Sequence, residues 1–207
     1  ENGGFGYGMN MGAKEAVGEY IVFVDSDDTL TPDALSRIAD YVSQDVDFVM
    51  YRVAFCRPNE ITREIEPFPK EKDVCIEGNE RVVKWIFTTF QPYKRGFYHV
   101  WTKAFKRKIL IEKNIRFRSD LFLGEDQVFV CDFLQHAESM YFTETKCYCL
   151  IKWPLNKREG GLGSALLSPE DFLYNQRENY KSLIALYENK SVREVKVYAV
   201  NYILDRP

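Results

Sequence analysis

Three aspartates lie within four positions of one another near the start of the chain. Asp25, Asp27 and Asp28 belong to the segment VFVDSDD, in which an apolar run leads directly into the acidic residues. Carboxylates this close repel one another, and their pKa values rise unless a cation, a helix N-terminus or bulk water relieves the repulsion. Divalent cations prefer oxygen ligands of this kind. The cluster therefore predicts a metal site with Asp25, Asp27 and Asp28 as ligands.

A purely structural role is the alternative for this cluster. Aspartate and serine residues after a strand often form a turn and cap the next helix. Thr31 and Pro32 have the types expected of an N-cap and a first helical residue, and they predict a helix from there to about Ser43. An EF-hand loop is excluded, because its required glycine would be Leu30 and its required glutamate would be Ser36.

The element that must position the aspartates is an apolar strand. Residues 20–24 form a continuous run of aromatic and β-branched side chains, which predicts a strand covered on both faces of an α/β sheet. Ligands of open α/β sheets bind beyond the carboxyl ends of the strands. The three aspartates occupy that position in the sequence.

The remaining pattern alternates helices and strands. The predicted helices cover residues 9–17, 79–90, 123–135, 168–188 and 191–204, with a basic helix over the KAFKRK segment, and the further strands cover 47–55, 140–143 and 147–151. Glycine or proline punctuation predicts loops over 3–8, 58–73, 91–96 and 160–163, the second as a loop or an edge excursion.

Composition excludes some classes of protein. The chain has 207 residues, a net charge of −3 and an apolar fraction of 45%, which predicts a globular protein with a real core. No long basic block is present, so nucleic acid is not an expected partner. The KAFKRK segment, residues 103–108, is interpreted as a solvated helix face, with contact to phosphates or to an anionic membrane surface as the alternative.

Cysteine usage predicts free thiols in a reducing compartment. The five cysteines form no CxxC pair, and with only two histidines they offer no zinc-site spacing. No run is long enough to span a membrane, and no charged and then apolar leader opens the chain. These features predict a soluble cytoplasmic protein, with peripheral contact at the inner face of the membrane as a further expectation.

Several short motifs, read in order, give the chain a family resemblance. They are Asn2-Gly3-Gly4, Asn10-Met11-Gly12, Ala16-Val17-Gly18-Glu19-Tyr20, Val24-Asp25-Ser26-Asp27-Asp28, Pro32, Trp101-Thr102-Lys103 and Gly124-Glu125-Asp126-Gln127-Val128-Phe129. With them, residues 1–150 resemble the family 2 glycosyltransferases, particularly the bacterial ones that build surface polysaccharides. The acidic cluster after A-x-G-E-Y and the later G-E-D-x-x-F are specific in combination.

The resemblance implies a fold, a reaction and partners. The fold would be a type A glycosyltransferase, an α/β Rossmann-like nucleotide-binding sandwich. Residues 1–150 would be its catalytic domain, and residues 151–207 a linker with C-terminal helices. The reaction would transfer a sugar with inversion from a nucleotide sugar, taken as UDP-linked, to a glycan or lipid-linked acceptor, with Mg²⁺ or Mn²⁺ as cofactor.

The sequence departs from the family at its start and after residue 151. The strand and loop with which the family opens are expected upstream of Glu1, so the nucleotide-binding half is expected to be partial. Met9 stands where many relatives carry an arginine, and residues 152–164 do not reproduce the usual ending.

The resemblance also implies roles for the first group of polar residues. Asp25, Asp27 and Asp28 match the acidic motif that meets the cation, the diphosphate and the ribose, so Asp25 and Asp27 are expected to bind the donor as well as the metal. Gly4 and Asn10 match positions near the donor.

The second group of matched residues lies beyond position 100. Asp126 matches the general base, and Glu125 lies beside it. Trp101 and Lys103 belong to a recurrent W-x-K and are expected, with Glu125, near the acceptor or the diphosphate. Helix stabilisation by acidic residues in a first turn, worth about 0.3 to 1 kcal/mol when exposed, is the alternative for Glu125 and Asp126. Filling the core is the alternative for Trp101.

Two other functions fit the same residues less well. One is a catalytically silent domain that binds a nucleotide sugar or a glycan, which the presence of both Asp27 and Asp126 disfavours. The other is a nucleotidyltransferase of similar architecture, whose phosphate loop would lie upstream of this chain.

Overall fold

The computed structural model describes residues 4–57, 60–64, 72–90, 97–151, 167–190 and 192–195. Within these residues the chain forms one mixed sheet that carries helices. The helices are α1 (Gly4–Glu15), α2 (Ala34–Val42), α3 (Asn79–Phe90), α4 (Arg107–Glu112), α5 (Glu125–Leu134) and α6 (Pro169–Lys190). The strands are β1 (Tyr20–Val22), β2 (Thr29–Leu30), β3 (Phe48–Arg57), β4 (Glu60–Glu64), β5 (Val74–Glu77), β6 (Lys103–Lys106) and β7 (Ser139–Ile151).

Two long strands form the centre of the sheet. The strand order is β1-β6-β3-β7-β2, and β3 runs parallel to β7 from Phe48 opposite Met140 to Cys56 opposite Ile151. The other pairs are antiparallel: β6 with β3, β1 with β6, β2 with β7, β4 with β3 and β5 with β7. Both β1 and β2 are therefore peripheral, and the acidic segment connects them.

Aromatic rings hold α5 against the sheet. Phe129 of α5 stacks on Phe117 at 4.2 Å between ring centroids and meets Phe105 of β6 edge to face. Phe133, one turn later, meets Phe105 at 4.9 Å. Such pairs contribute about 0.5 to 1.5 kcal/mol beyond the area that they bury. The packing fixes the position of α5, whose first turn carries the second acidic pair.

The last long helix belongs to the same core. Leu183 and Leu186 of α6 are fully buried in the main hydrophobic cluster. The predicted start is confirmed, since the amide N–H of Asp171 donates to Ser168 Oγ and that hydroxyl donates to Asp171 Oδ2. Residues 193–195 are helical, whereas residues 191 and 196–204 of the predicted final helix, and the predicted loops over 91–96 and 160–163, lie outside the described residues.

The strand before the aspartates is shorter and less covered than predicted. β1 ends at Val22, and burial alternates over residues 20–24, with Ile21 and Phe23 buried and Val24 exposed. The prediction of coverage on both faces is wrong because β1 lies at the end of the strand order, beside β6.

Two predicted boundaries before and after this strand are also wrong. The glycine-rich segment is helical from Gly4 onward, and α1 ends at Glu15. Tertiary contact explains the helix, because Gly6 is buried where a Cβ would lie 3.2 Å from the Cβ of Phe117. Helix α2 begins at Ala34, since the hydroxyl of Thr31 donates to the Lys146 carbonyl and does not cap the helix.

The basic segment is not a solvated helix face. Lys103–Lys106 is strand β6, followed by the short helix α4, and Lys103 is 0% exposed. The prediction failed because hydrogen bonding to β1 and β3 overrides the lysine-rich composition.

The other predicted strands and loops are partly confirmed. The strand predicted over 47–55 and helix α3 are present. The two strands predicted after residue 139 form one strand, β7. Its register on β3 shifts near Arg52 of β3. The segment 58–73 contains strand β4, which pairs with β3 as an edge excursion, and its residues 58–59 and 65–71 lie outside the described part of the chain.

A disulfide joins the two central strands. Cys56 of β3 bonds to Cys149 of β7, with 5.8 Å between their Cα atoms. The free-thiol prediction is therefore wrong for this pair, and it holds for Cys75, Cys131 and Cys147. The two bonded residues are 93 positions apart, and only the register of β3 on β7 brings them together. The inference of a reducing compartment loses its basis.

The helices of the described residues are too short or too polar to span a membrane.

Candidate active site

The three aspartates form one compact group in the turn between β1 and β2. The amide N–H of Asp28 donates to the Asp25 carbonyl at 3.1 Å, which closes the turn. One carboxylate oxygen from each of Asp25, Asp27 and Asp28 lies within 4.8 Å of the others. Asp25 Oδ1 is buried and has no hydrogen-bond partner. A buried, unsatisfied carboxylate oxygen beside two further carboxylates fits a divalent cation bound through oxygen ligands.

Two carboxyl groups of this turn have raised pKa values. The pKa of Asp25 is raised to about 6, chiefly by burial and also by the carboxylates of Asp28, Asp27 and Glu125. Burial also raises the pKa of Asp28, although two hydrogen bonds oppose the rise. A cation at this position would stabilise the ionised carboxylates against both their burial and their mutual repulsion.

Strand β7 holds Asp28 in place. The hydroxyl of Tyr148 donates to Asp28 Oδ2 at 2.7 Å, and the amide N–H of Ile151 donates to Asp28 Oδ1 at 2.8 Å. The same hydroxyl accepts from the amide N–H of Asp25 at 3.2 Å. Tyr148 therefore links two of the three aspartates and fixes the turn against the centre of the sheet.

An aromatic stack continues from Tyr148 into the interior. Trp101 stacks on Tyr148 at 5.0 Å and on His99 at 4.4 Å, with planes inclined by 23° and 19°. Trp101 is 6% exposed. This burial favours the interpretation of Trp101 as a core aromatic, and the stack packs the acidic turn against the segment that precedes β6.

Asp126 lies in the first turn of α5, after Gly124 in a left-handed conformation. Its Oδ2 accepts a hydrogen bond from the amide N–H of Val100 at 3.4 Å, whereas Oδ1 is buried and has no hydrogen-bond partner. The pKa of Asp126 is raised to about 8, chiefly by burial and also by the charges of Glu125 and Asp25. The Val100 hydrogen bond and the charge of Lys103 oppose it.

Lys103 lies under the turn that carries Val100. Its Nζ donates to the His99 carbonyl at 2.8 Å and to Thr102 Oγ1 at 3.0 Å. Burial lowers the pKa of Lys103 to about 7, against the effect of Asp126. The side chain is directed into the protein, where its charge acts on the Asp126 carboxylate.

The two acidic groups lie close together, because Val100, which donates to Asp126, adjoins Trp101 in the stack on Tyr148. The carboxylate of Asp25 raises the pKa of Asp126, and that of Glu125 raises the pKa of Asp25. Interactions of this kind need short separations in a poorly solvated region. Asp25 of the acidic turn thus interacts with the acidic pair at the start of α5.

Two predicted donor-binding residues, Gly4 and Asn10, lie in helix α1. The amide of Asn10 donates to the Phe117 carbonyl at 2.7 Å and accepts from the Phe117 amide N–H at 2.9 Å, which ties α1 to the loop before α5. Gly4 begins α1 with a φ of 76° and is exposed. Binding of a donor by Gly4 and Asn10 stays a prediction.

Sequence reasoning missed Tyr148 and the backbone of Val100. Tyr148 did leave a signal, because it lies in an apolar strand and a buried tyrosine hydroxyl usually needs a hydrogen-bond partner. Val100 contributes through its main chain, which its side-chain type does not reveal.

Comparison with known proteins gives relatives of one kind. Residues 1–113 match the family described as Glycosyl transferase family 2. The chain is 26% identical over 154 residues to "Cholesterol galactosyltransferase" of Borreliella burgdorferi, which covers 72% of this chain and 42% of the relative. It is 29% identical over 177 residues to "Poly(ribitol-phosphate) beta-N-acetylglucosaminyltransferase TarS" of Staphylococcus aureus, which covers 83% of this chain and 27% of the relative.

Solved structures give the same result for the fold. The crystal structure of S. aureus TarS 1-349 in complex with UDP-GlcNAc superposes with a TM-score of 0.65 at 25% identity, over 88% of this chain and 47% of that chain. A structure of TarS 1-349 alone gives a TM-score of 0.68 over 98% of this chain and 52% of the other, at 19% identity. The predicted type A glycosyltransferase fold is confirmed.

The chain spans less than half the length of both of these curated relatives. The family match includes the three aspartates, Trp101 and Lys103, and it ends before Asp126. Because the matched residues make up more than half of the chain, this protein belongs to glycosyl transferase family 2.

Proposed function

We propose that this protein transfers a sugar from a nucleotide-sugar donor to a hydroxyl of a glycan or a lipid-linked acceptor, with inversion at the anomeric carbon. The observation that carries the proposal is the partly buried Asp126, which interacts with the acidic turn and keeps one buried oxygen without a hydrogen-bond partner. Family membership and the likeness to a protein crystallised with UDP-GlcNAc support a UDP-linked donor.

The proposed chemistry is a single displacement. The acceptor hydroxyl oxygen attacks the anomeric carbon while the bond from that carbon to the diphosphate oxygen breaks, and the nucleoside diphosphate leaves. Asp126 takes the hydroxyl proton on its free Oδ1. A base works best when its pKa is close to the working pH, and burial has raised the pKa of Asp126 to about 8.

The acidic turn would hold the cation and the donor. Asp25, Asp27 and Asp28 would bind Mg²⁺ or Mn²⁺, and Asp25 and Asp27 would also contact the donor. When bound, the divalent cation supplies Lewis-acid stabilisation of the leaving diphosphate. Glu125 is proposed to contact the acceptor or the diphosphate.

For the W-x-K residues we propose a positioning role. Trp101 and Lys103 are buried, so they act on the site through their neighbours. Trp101 supports Tyr148, and the protonated form of Lys103 stabilises the Asp126 carboxylate.

Replacing the base separates this proposal from a silent binding domain. Asp126→Asn in the full protein is expected to lower transfer at least a thousandfold while UDP-sugar binding changes less than threefold, because the amide keeps the shape and cannot accept the proton. Calorimetry with donor and Mn²⁺ gives the affinity, and product analysis with a radiolabelled donor gives the rate. A variant that keeps transfer refutes the role of Asp126, and release of pyrophosphate with nucleotide transfer indicates a nucleotidyltransferase.

A further inference from the structure

We infer that helix α6 positions the carboxylate of Asp126, through two asparagines that hold the loop preceding it. The inference rests on the proposed role of Asp126 as the base. Helix α6 lies well beyond the residues that match the family. It would thus be a working part of the catalytic site.

Asn175 fixes the amide groups of this loop. Its Oδ1 accepts hydrogen bonds from the amide N–H groups of Phe122 at 2.8 Å and Leu123 at 2.9 Å. Its Nδ2 donates to the Asp171 carbonyl on the preceding turn of α6 at 2.7 Å, which sets the orientation of the side-chain amide. Asn175 is 1% exposed, so these contacts are shielded from water.

Asn179 fixes the next carbonyl. Residues four apart lie on one face of a helix, and Asn179 is also 1% exposed. Its Nδ2 donates to the Leu123 carbonyl at 2.9 Å. In return, the side-chain Nε2 of Gln127 in α5 donates to the Asn179 carbonyl at 3.1 Å. The loop before α5 and helix α5 both form hydrogen bonds with this turn of α6.

The backbone of Gly124 packs directly against the side chain of Asn179. Its φ is 81°, a left-handed conformation that favours glycine. A Cβ at this position would lie 2.2 Å from Asn179 Oδ1, so the backbone rests directly on that side chain. Glu125 and Asp126 follow at once, and a shift of the asparagines is therefore passed to the first turn of α5.

The decisive variant removes the loop hydrogen bonds while keeping a similar side-chain volume. Asn175→Leu in the full protein is expected to lower kcat by tenfold to a hundredfold, since small misplacement of a catalytic group has effects of this size. The KM for the donor and the affinity for Mn²⁺ should change less than twofold, because Asn175 does not touch the acidic turn. Hydrogen exchange of the Phe122 and Leu123 amides, followed by NMR, should accelerate at least tenfold.

A control on the same helix separates positioning from general stability. Leu186→Ala removes buried packing from α6 and none of the loop hydrogen bonds, so the variant should unfold more easily but keep kcat within twofold when folded. If Asn175→Leu does not fold, Asn179→Leu serves as the second variant. It should show the same loss of kcat.

Three results would overturn the inference. One is normal kcat in a folded Asn175→Leu or Asn179→Leu variant, another is an equal kcat loss in Leu186→Ala, and the third is unchanged exchange of the loop amides. Failure of the proposed function looks different, since Asp126→Asn would then keep transfer whatever the loop amides do.

Discussion

At the scale of single residues, Tyr148 connects the acidic turn to the core. Its hydroxyl is bonded to Asp28 Oδ2 and to the amide of Asp25, while its ring is stacked on Trp101. The ring therefore contributes packing, whereas the hydroxyl orients the two aspartates. A substitution that removes only the hydroxyl tests this orientation.

We expect Tyr148→Phe to weaken Mn²⁺ binding about tenfold, because a hydrogen bond to a charged group contributes about 1.5 to 3 kcal/mol. Its loss also raises the pKa of Asp28, which favours the protonated form that binds no cation. Calorimetric titration with Mn²⁺ measures the change. Tyr20→Phe is the matched control, since the Tyr20 hydroxyl donates to the Val46 carbonyl. Equal affinity in wild type and Tyr148→Phe would contradict the prediction.

The charge of Lys103 should set the pH range of activity. The base must be deprotonated to act, so kcat rises with pH as Asp126 loses its proton. A nearby positive charge lowers the pKa of Asp126, and its removal raises that pKa. Lys103→Met is therefore expected to move the rising limb of the kcat profile to higher pH.

The control for this profile lies on the same strand. Lys106 pairs with Asp45 at 2.6 Å, away from the base, so Lys106→Met should leave the limb in place. Steady-state kinetics between pH 5 and 10 compare the three proteins. A limb at the same pH in Lys103→Met and wild type would show that Lys103 does not act on Asp126.

At the scale of elements, the start of α6 follows from local chemistry. Ser168-Pro169-Glu170-Asp171 predicts a capped helix start, and the observed bonds of Ser168 to Asp171 confirm it. Ser168→Ala is expected to lower the free energy of unfolding by about 1 kcal/mol, because the Asp171 amide loses its acceptor. Urea denaturation measures the loss.

Two serine variants control for the substitution itself. Ser168→Asp should keep most of the stability, since a carboxylate also caps a helix. Ser36 is an exposed residue within helix α2, so Ser36→Ala should be neutral or slightly stabilising. An equal stability of Ser168→Ala and wild type would mean that the cap is dispensable.

At the scale of the whole molecule, the Cys56–Cys149 bond closes a long loop. Cross-linking residues 93 positions apart restricts the unfolded chain, so reduction should lower the free energy of unfolding by about 2 to 4 kcal/mol. Urea denaturation with and without dithiothreitol measures the change. Cys56→Ser should lose the response to dithiothreitol, whereas Cys75→Ser, at an exposed free thiol, should keep it. Identical midpoints in both conditions would show that the bond does not constrain the unfolded state.

The sequence by itself determined the features that depend on near neighbours. The acidic cluster after an apolar run, the cap of α6 and the periodicity of α3 are local, because charge repulsion, capping bonds and helical spacing act within a few residues. The two motifs around Asp27 and Asp126 also sufficed to predict the family.

Only the tertiary structure decided the features that depend on distant contacts. Lys103 is buried in a strand because β6 pairs with β1 and β3, and Cys56 meets Cys149 because of the register of β3 on β7. The hydrogen bond from Tyr148 to Asp28 and that from the Phe122 amide to Asn175 likewise join segments that are far apart in the chain. Residue types state what such groups can bond to, and the packing of the folded chain selects the partner.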